Sequence, residues 1–327
     1  MKFGRILGLA LSLGLVVLGF FAVNNLQALV DFYIVKTVPL SSQAKALAGQ
    51  IKLNDNGRYL FAAAQPAIEQ SAGFNRHCSK KEAGSVVLGC YVGPQNIYIY
   101  DVTESRLDGV KQVTAAHEML HVAYDRLGAL EKKRTNKLLE TALVSVQKTN
   151  PDLAERLELY DRTEPGQRSN ELHSILGTEA ATLPSQLESY YKKYFDDRSI
   201  VTDFAADYSA VFNNLKRNQD QLLAELETQA TSINQMTQDY NAAIDQLNRD
   251  IQNFNAAASQ PGGFSSQAEF EAEKTNLTQR RAELENKKTK INQAIDLYND
   301  KKQSLESLNV EVEALNSKLD SSSLPSI

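Results

Sequence analysis

The chain has 327 residues, of which 42% are hydrophobic and 23% charged, and its formal net charge is −5 at pH 7. This hydrophobic content is sufficient for a packed core and excludes a disordered chain. We expect no nucleic-acid partner, because nucleic-acid binding requires a basic surface that this mildly acidic composition does not indicate. The length allows about two domains.

The N-terminus has the pattern of a membrane anchor. Lys2 and Arg5 precede residues 6–23, which carry no charge. As a helix this stretch would be about 27 Å long, close to the hydrocarbon thickness of a bilayer. Basic residues favour the cytoplasmic side, so residues 1–28 are predicted to be a cytoplasmic stub and a transmembrane anchor, with the bulk of the chain extracytoplasmic. The alternative is a cleaved signal peptide, but residues 24–28 match an Ala-x-Ala cleavage site poorly.

The two cysteines of the chain are Cys78 and Cys90. An even number of cysteines in an exported chain predicts a disulfide. The alternative is a pair of buried free thiols. A zinc site is not expected here, because two thiols alone do not complete a tetrahedral ligand set.

Short strands are predicted between the anchor and residue 112. Residues 58–61 (Arg-Tyr-Leu-Phe) follow an Asp-Asn-Gly turn signal and are predicted to form a strand. Residues 86–92 and 97–100 are rich in aliphatic and aromatic side chains and flank a turn cluster, which predicts a β-hairpin. From Gln112 the pattern becomes helical, so we expect an α+β segment that leads into helices.

Residues 117–121 read His-Glu-Met-Leu-His within an apolar helical stretch. On a helix, residues four apart are separated by about 40° around the axis, so His117 and His121 face one point. This arrangement suits two ligands of a tetrahedral zinc ion, and Glu118 can reach a water on the metal. A chance occurrence is the alternative, but ionisable groups in an apolar helix require a purpose. We predict His117 and His121 as metal ligands and Glu118 as the catalytic base.

A zinc site that keeps one position open for water requires a third protein ligand. The HExxH motif, together with Asn170-Glu171-Leu172-His173-Ser174, resembles the zincin metallopeptidases and, within them, the thermolysin-like gluzincins. The resemblance covers residues 113–183 and does not identify a single peptidase family. It implies that Glu171, on a later helix, is the third ligand of Zn²⁺.

Two nearby residues are alternatives or supports for this site. Glu179 is the rival third ligand, and it is otherwise expected to accept a hydrogen bond that orients a ligating histidine. His173 is expected to have a supporting role of the same kind or to stabilise an oxyanion. By analogy with zincins, a strand beside the site would align the substrate backbone, and residues 97–100 are the candidate.

The sequence from residue 203 onward predicts a coiled coil. Leu226, Ile233 and Tyr240 begin a series of apolar residues spaced by seven, and a second series runs from Phe270 to Leu319. Between the two series, Pro and paired Gly at 261–263 interrupt the helix. The prediction is an antiparallel helical hairpin over residues 203–320, with its tip near 259–266 and a tail at 321–327.

The combined prediction is an α+β protein with an anchor at 1–28, a zincin-like domain at 29–202 and the coiled-coil hairpin. The expected activity is zinc-dependent hydrolysis of peptide bonds by a single-pass protein of the cell membrane, acting on a peptide or protein substrate outside the cytoplasm. The coiled coil is expected to bind a protein partner or a second copy. Two alternatives stay open: a cell-envelope adaptor with a non-catalytic zinc site, and an amidase that acts on cell-wall peptides.

Overall fold

The computed structural model describes residues 25–78, 86–149 and 166–321. The chain divides into two compact units. The second unit comprises residues 212–314, and the first contains the remaining described residues.

The first unit is built mainly from helices. Its helices are α1 (Leu26–Thr37), α2 (Ser42–Gln50), α3 (Asp55–Ala63), α4 (Ser71–His77), α5 (Val110–Asp125), α6 (Ala129–Thr149), α7 (Arg168–Glu179) and α8 (Ser185–Tyr191), with a short 3₁₀ helix at Ser105–Leu107. Helix α9 (Ser199–Ala258) begins in the first unit and continues into the second, and helix α10 is Gln267–Leu319.

The described residues form one small sheet with the strands β1 (Ala67–Glu69), β2 (Gly89–Val92) and β3 (Asn96–Tyr100). The order is β1-β3-β2, with β1 parallel and β2 antiparallel to β3. Cys90 pairs with Tyr98 across the β2–β3 hairpin. Gly93 adopts a φ of 62° in the connecting turn, a conformation that favours glycine. The predicted hairpin is therefore confirmed.

The predicted α+β class is wrong, because the described chain is predominantly helical and its three strands are short. One reason lies at residues 58–61, which were expected to form a strand and instead lie within α3. The Asn54 side chain accepts a hydrogen bond from the Gly57 backbone N–H and caps this helix. The Asp-Asn-Gly segment is thus a helix start, since the residues that favour turns also favour N-terminal caps.

The predicted single-pass membrane protein is also corrected. No helix among the described residues is long and apolar enough to cross a membrane. Helix α1 has only 12 residues and includes the charged Asp31 and Lys36, whereas a membrane span requires about 20 apolar residues. The span predicted at residues 6–23 lies outside the described residues.

Helix α5 lies at the centre of the first unit. It contacts α2, α3, α7 and the strands β2 and β3. Its apolar residues Ala115, Ala116, Met119, Leu120 and Val122 are fully buried and belong to the main hydrophobic core. Because packing on several sides fixes this helix, side chains that project from it are held in defined positions.

A buried ion pair holds α1 against the end of α5. Asp31 is 2% exposed, and its Oδ2 accepts a hydrogen bond from Arg126 Nε at 2.7 Å. Arg126 also donates to the Tyr91 hydroxyl at 3.0 Å and to the Pro94 carbonyl at 2.6 Å. One guanidinium therefore connects α1, α5 and the β2–β3 hairpin.

The predicted disulfide between Cys78 and Cys90 is present, and it joins the end of α4 to β2. The two cysteines are 12 residues apart. Closing a loop of this length in the unfolded chain contributes about 3 kcal/mol to stability.

We therefore expect the Cys78→Ser/Cys90→Ser double variant to lose about 3 kcal/mol in its free energy of unfolding, measured by chemical denaturation. Addition of reductant should not change the denaturation midpoint of the variant, because no disulfide is left to reduce. A variant with the same midpoint as the wild type would contradict the prediction.

The second unit consists of two long antiparallel helices, the distal part of α9 and most of α10. Leu247, Leu277 and Leu284 form its buried contact. Two ion pairs connect the helices, Asp250 with Arg280 at 2.8 Å and Glu225 with Lys301 at 2.7 Å. The rings of Phe254, Phe264 and Phe270 pack together beside the turn. Long helices were expected here from the seven-residue periodicity, and they are present.

Candidate metal centre

Helix α5 places two imidazoles side by side. His117 and His121 are one helical turn apart, and their ring centroids are separated by 4.7 Å with an interplanar angle of 76°. Their side chains are 19% and 10% exposed. The pair therefore lies at the edge of the core, with limited access to solvent.

Helix α7 brings a carboxylate to this pair. Glu171 lies in the first turn of α7, which packs against α5. Its Oε2 is 3.6 Å from His117 Nε2, and its Oε1 is 3.5 Å from His121 Nε2. The possible ligand atoms of the three residues all lie within 4.8 Å of one another. We call His117, His121 and Glu171 the metal group, because these three residues could hold a metal ion.

The protonation state of Glu171 fits this role. Burial raises the pKa of its carboxyl, but electrostatic interaction with the imidazole of His121 and a hydrogen bond from His117 oppose this effect. The net result is a pKa below the usual value. The carboxylate is therefore ionised at neutral pH, as a metal ligand must be.

The rival ligand Glu179 lies at the other end of α7, about 12 Å further along the helix axis. Among the described residues, the group that could hold a metal contains Glu171 and not Glu179. The difference follows from the direction of α7, whose N-terminal turn carries Glu171 to the imidazoles of α5.

His173 is part of the core. It is fully buried, and its Nε2 lies 2.9 Å from the Tyr190 hydroxyl. Burial, with a smaller effect of positive charge on His121, lowers the pKa of His173 to about 3, so the ring is neutral at physiological pH. The Tyr191 hydroxyl donates a hydrogen bond to the His173 carbonyl at 2.6 Å and so ties α7 to α8. A fully buried ring has no surface for an oxyanion, and the hydrogen-bond partner of His173 Nε2 is Tyr190 rather than a ligating histidine.

Glu118 projects from α5 toward β2. It is 5% exposed, and its carboxylate lies beside Gly89, where a Cβ atom would be 2.7 Å from Glu118 Oε1.

The strand that the sequence predicts to align the substrate is residues 97–100. That strand is β3, which is central in the sheet and has Ile97 and Ile99 fully buried.

The strand beside α5 with an outer edge is β2. The Tyr100 N–H donates to the Leu88 carbonyl at 2.8 Å. Hydrogen-bonded and non-hydrogen-bonded pairs alternate along an antiparallel ladder. With the register of β2 and β3, this alternation directs the backbone N–H and C=O groups of Gly89 and Tyr91 away from β3. Within the described sheet, no strand pairs with that edge.

Gly177 determines how closely α7 approaches α5. A Cβ atom on Gly177 would lie 2.3 Å from Leu120 Cδ1 and 2.8 Å from Tyr191 Cε1. We expect Gly177→Ala to push α7 from α5, which would lower the free energy of unfolding by about 1–3 kcal/mol. The same shift would move Glu171 from the imidazoles and weaken metal binding by about tenfold.

Chemical denaturation and a competitive metal titration measure these two effects. Gly49→Ala, near the C-terminal end of α2, is the matched control, because its added methyl group would meet nothing within 4 Å. Metal affinity equal to wild type in Gly177→Ala would contradict the prediction. The sequence did not identify Gly177 or Gly89, because only the tertiary contacts distinguish them from other glycines.

Comparison with known proteins supplies no functional information about the metal group. No protein-family model matches the chain, and neither a curated protein nor a solved structure shows significant similarity to it.

Proposed function

We propose that this protein is a zinc-dependent peptidase, with Zn²⁺ held by His117, His121 and Glu171 and with Glu118 as general base. The observation that carries the proposal is the metal group itself. Two imidazoles from one helix and an ionised carboxylate from another converge on one point at the edge of the core.

The composition of the metal group favours zinc. Imidazole nitrogen together with carboxylate oxygen is a ligand set that Zn²⁺ accepts, and catalytic zinc sites have three protein ligands and an open fourth position. A closed structural site would require a fourth protein ligand. Among the described residues, the group contains no fourth His, Cys, Asp or Glu. This favours a catalytic site over the structural site of an adaptor protein.

The chemistry then follows from the residues around the metal group. A zinc ion, when bound, lowers the pKa of a coordinated water to about 7 and polarises a carbonyl oxygen. Glu118, next to His117 in the chain, accepts a proton from the attacking water as the new C–O bond forms at the carbonyl carbon. The C–N bond then breaks, and Glu118 gives the proton to the leaving amine. Near-complete burial of Glu118 limits competition from bulk water.

The outer edge of β2 supports a peptide as the substrate. An extended peptide can add to a free strand edge through backbone hydrogen bonds. The backbone groups of Gly89 and Tyr91 that point away from β3 are in the position to form such bonds. Because Gly89 also lies beside Glu118, a peptide bound along this edge would pass close to the general base.

The direct test is an assay of the zinc-loaded protein on a mixed library of internally quenched peptides. We expect hydrolysis that 1,10-phenanthroline abolishes and that added Zn²⁺ restores. Zinc bound at one ion per chain without hydrolysis of any library member would instead favour the adaptor protein. Failure to bind zinc would overturn both proposals.

A further inference from the structure

Gly89 of β2 lies directly opposite two side chains of α5 that are one helical turn apart. A Cβ atom at Gly89 would be 2.5 Å from Thr114 Cγ2, 2.7 Å from Glu118 Oε1 and 2.9 Å from Glu118 Cγ. Real Cβ atoms essentially never lie closer than 3.0 Å to another atom, and all three distances are shorter than this limit. The stem and the carboxylate of Glu118 thus lie in the space that any other residue at position 89 would fill.

Backbone freedom does not account for a glycine at this position. Gly89 is in a regular strand and is not among the glycines with positive φ. An L residue could therefore adopt its backbone conformation. The missing side chain is therefore the relevant property of Gly89.

The surroundings of Gly89 determine which group would move if a side chain were added. Strand β2 is held by its pairing with β3 and, at the next residue, by the disulfide of Cys90. Thr114 is held by its hydroxyl, which donates to the Val110 carbonyl at 2.8 Å. Two of the three colliding atoms belong to Glu118, and Oε1 is at the far end of its long side chain, so the Glu118 carboxylate is the group that would be displaced.

We infer that Gly89 is a positioning residue for Glu118. By having no Cβ, it leaves the space in which the Glu118 carboxylate lies and thereby determines where the general base meets the attacking water. This inference rests on the proposed peptidase function. It adds a requirement on β2 that the HExxH motif itself does not contain.

The kinetic test is Gly89→Ala in the zinc-loaded full-length protein. We expect zinc content to be unchanged, kcat to fall about 100-fold, as displacement of a catalytic group by about 1 Å does, and KM to change little. Gly128→Ala is the matched control, because its methyl group would meet nothing within 4 Å. In a Glu118→Gln background, Gly89→Ala should cause no further loss of kcat, since the group on which it acts has been replaced.

A second test uses the metal-free protein and measures melting temperature. Thr114→Ser, which removes the colliding Cγ2, is the reference for every variant. Gly89→Ala should lower the melting temperature of this reference by several degrees, and by much less when Glu118 is replaced by Ala. An equal decrease in both backgrounds would overturn the inference, as would a wild-type kcat in Gly89→Ala. This second test requires no hydrolysis. It therefore shows whether a side chain at position 89 collides with Glu118 even if the wild-type protein cleaves no peptide.

Discussion

Replacement of Glu118 by Gln is expected to lower kcat by about 10²–10⁴-fold, the usual contribution of a general base, while zinc stays bound at one ion per chain. Gln has nearly the same shape as Glu but cannot accept and return a proton at neutral pH. The residues of the metal group, His117, His121 and Glu171, are unchanged by this substitution. Metal analysis and single-turnover hydrolysis of a cleaved library peptide measure the two results.

Glu227→Gln, on the exposed surface of α9, is the control for this substitution because it removes the same charge far along the chain from the motif. It should hydrolyse the peptide at the wild-type rate. Glu118→Gln protein with normal kcat would remove the general base from the proposal. If the protein instead acts as an adaptor, its biological role should persist in Glu118→Gln.

Replacement of Glu171 by Gln should weaken zinc binding by at least about 100-fold, since loss of a direct ligand should cost more than loss of a supporting residue. The substitution removes the only carboxylate of the metal group and leaves a neutral amide, which is a poor zinc ligand. Competition with a chromophoric chelator measures the dissociation constant. Peptide hydrolysis at limiting zinc should decrease together with the amount of bound zinc.

Glu179→Gln is the matched control for Glu171→Gln, because both residues lie on α7 and both substitutions remove one negative charge. It should bind zinc as the wild type does. Strong loss of zinc in Glu179→Gln, together with normal binding in Glu171→Gln, would reverse the assignment of the third ligand.

The parts of the site that depend on local spacing were accessible from the sequence. The helical repeat alone brings His117 and His121 to one face. The hairpin was also predictable, because apolar strand residues flank a turn with Gly93. Glu171 was suggested by resemblance, and its approach to the imidazoles depends on how α7 packs against α5.

The parts that depend on tertiary packing were not accessible. The composition of residues 55–61 fits both a turn followed by a strand and the capped helix α3, and packing of Leu60 and Phe61 on the core accompanies the helix. The choice of β2 over β3 as the outer strand required the strand order. Gly89 and Gly177 matter because of atoms that are distant in sequence, and no pattern of neighbouring residues reports such contacts.

The Arg126 guanidinium has a practical consequence for shortened versions of the protein. A fragment that begins after α1 would lack Asp31 and leave the Arg126 guanidinium, whose side chain is only 15% exposed, without its carboxylate partner, a loss of about 3–5 kcal/mol. The same guanidinium holds Tyr91 and Pro94 of the hairpin that faces Glu118. Any trimmed version intended for crystallisation or assay should therefore start before residue 26.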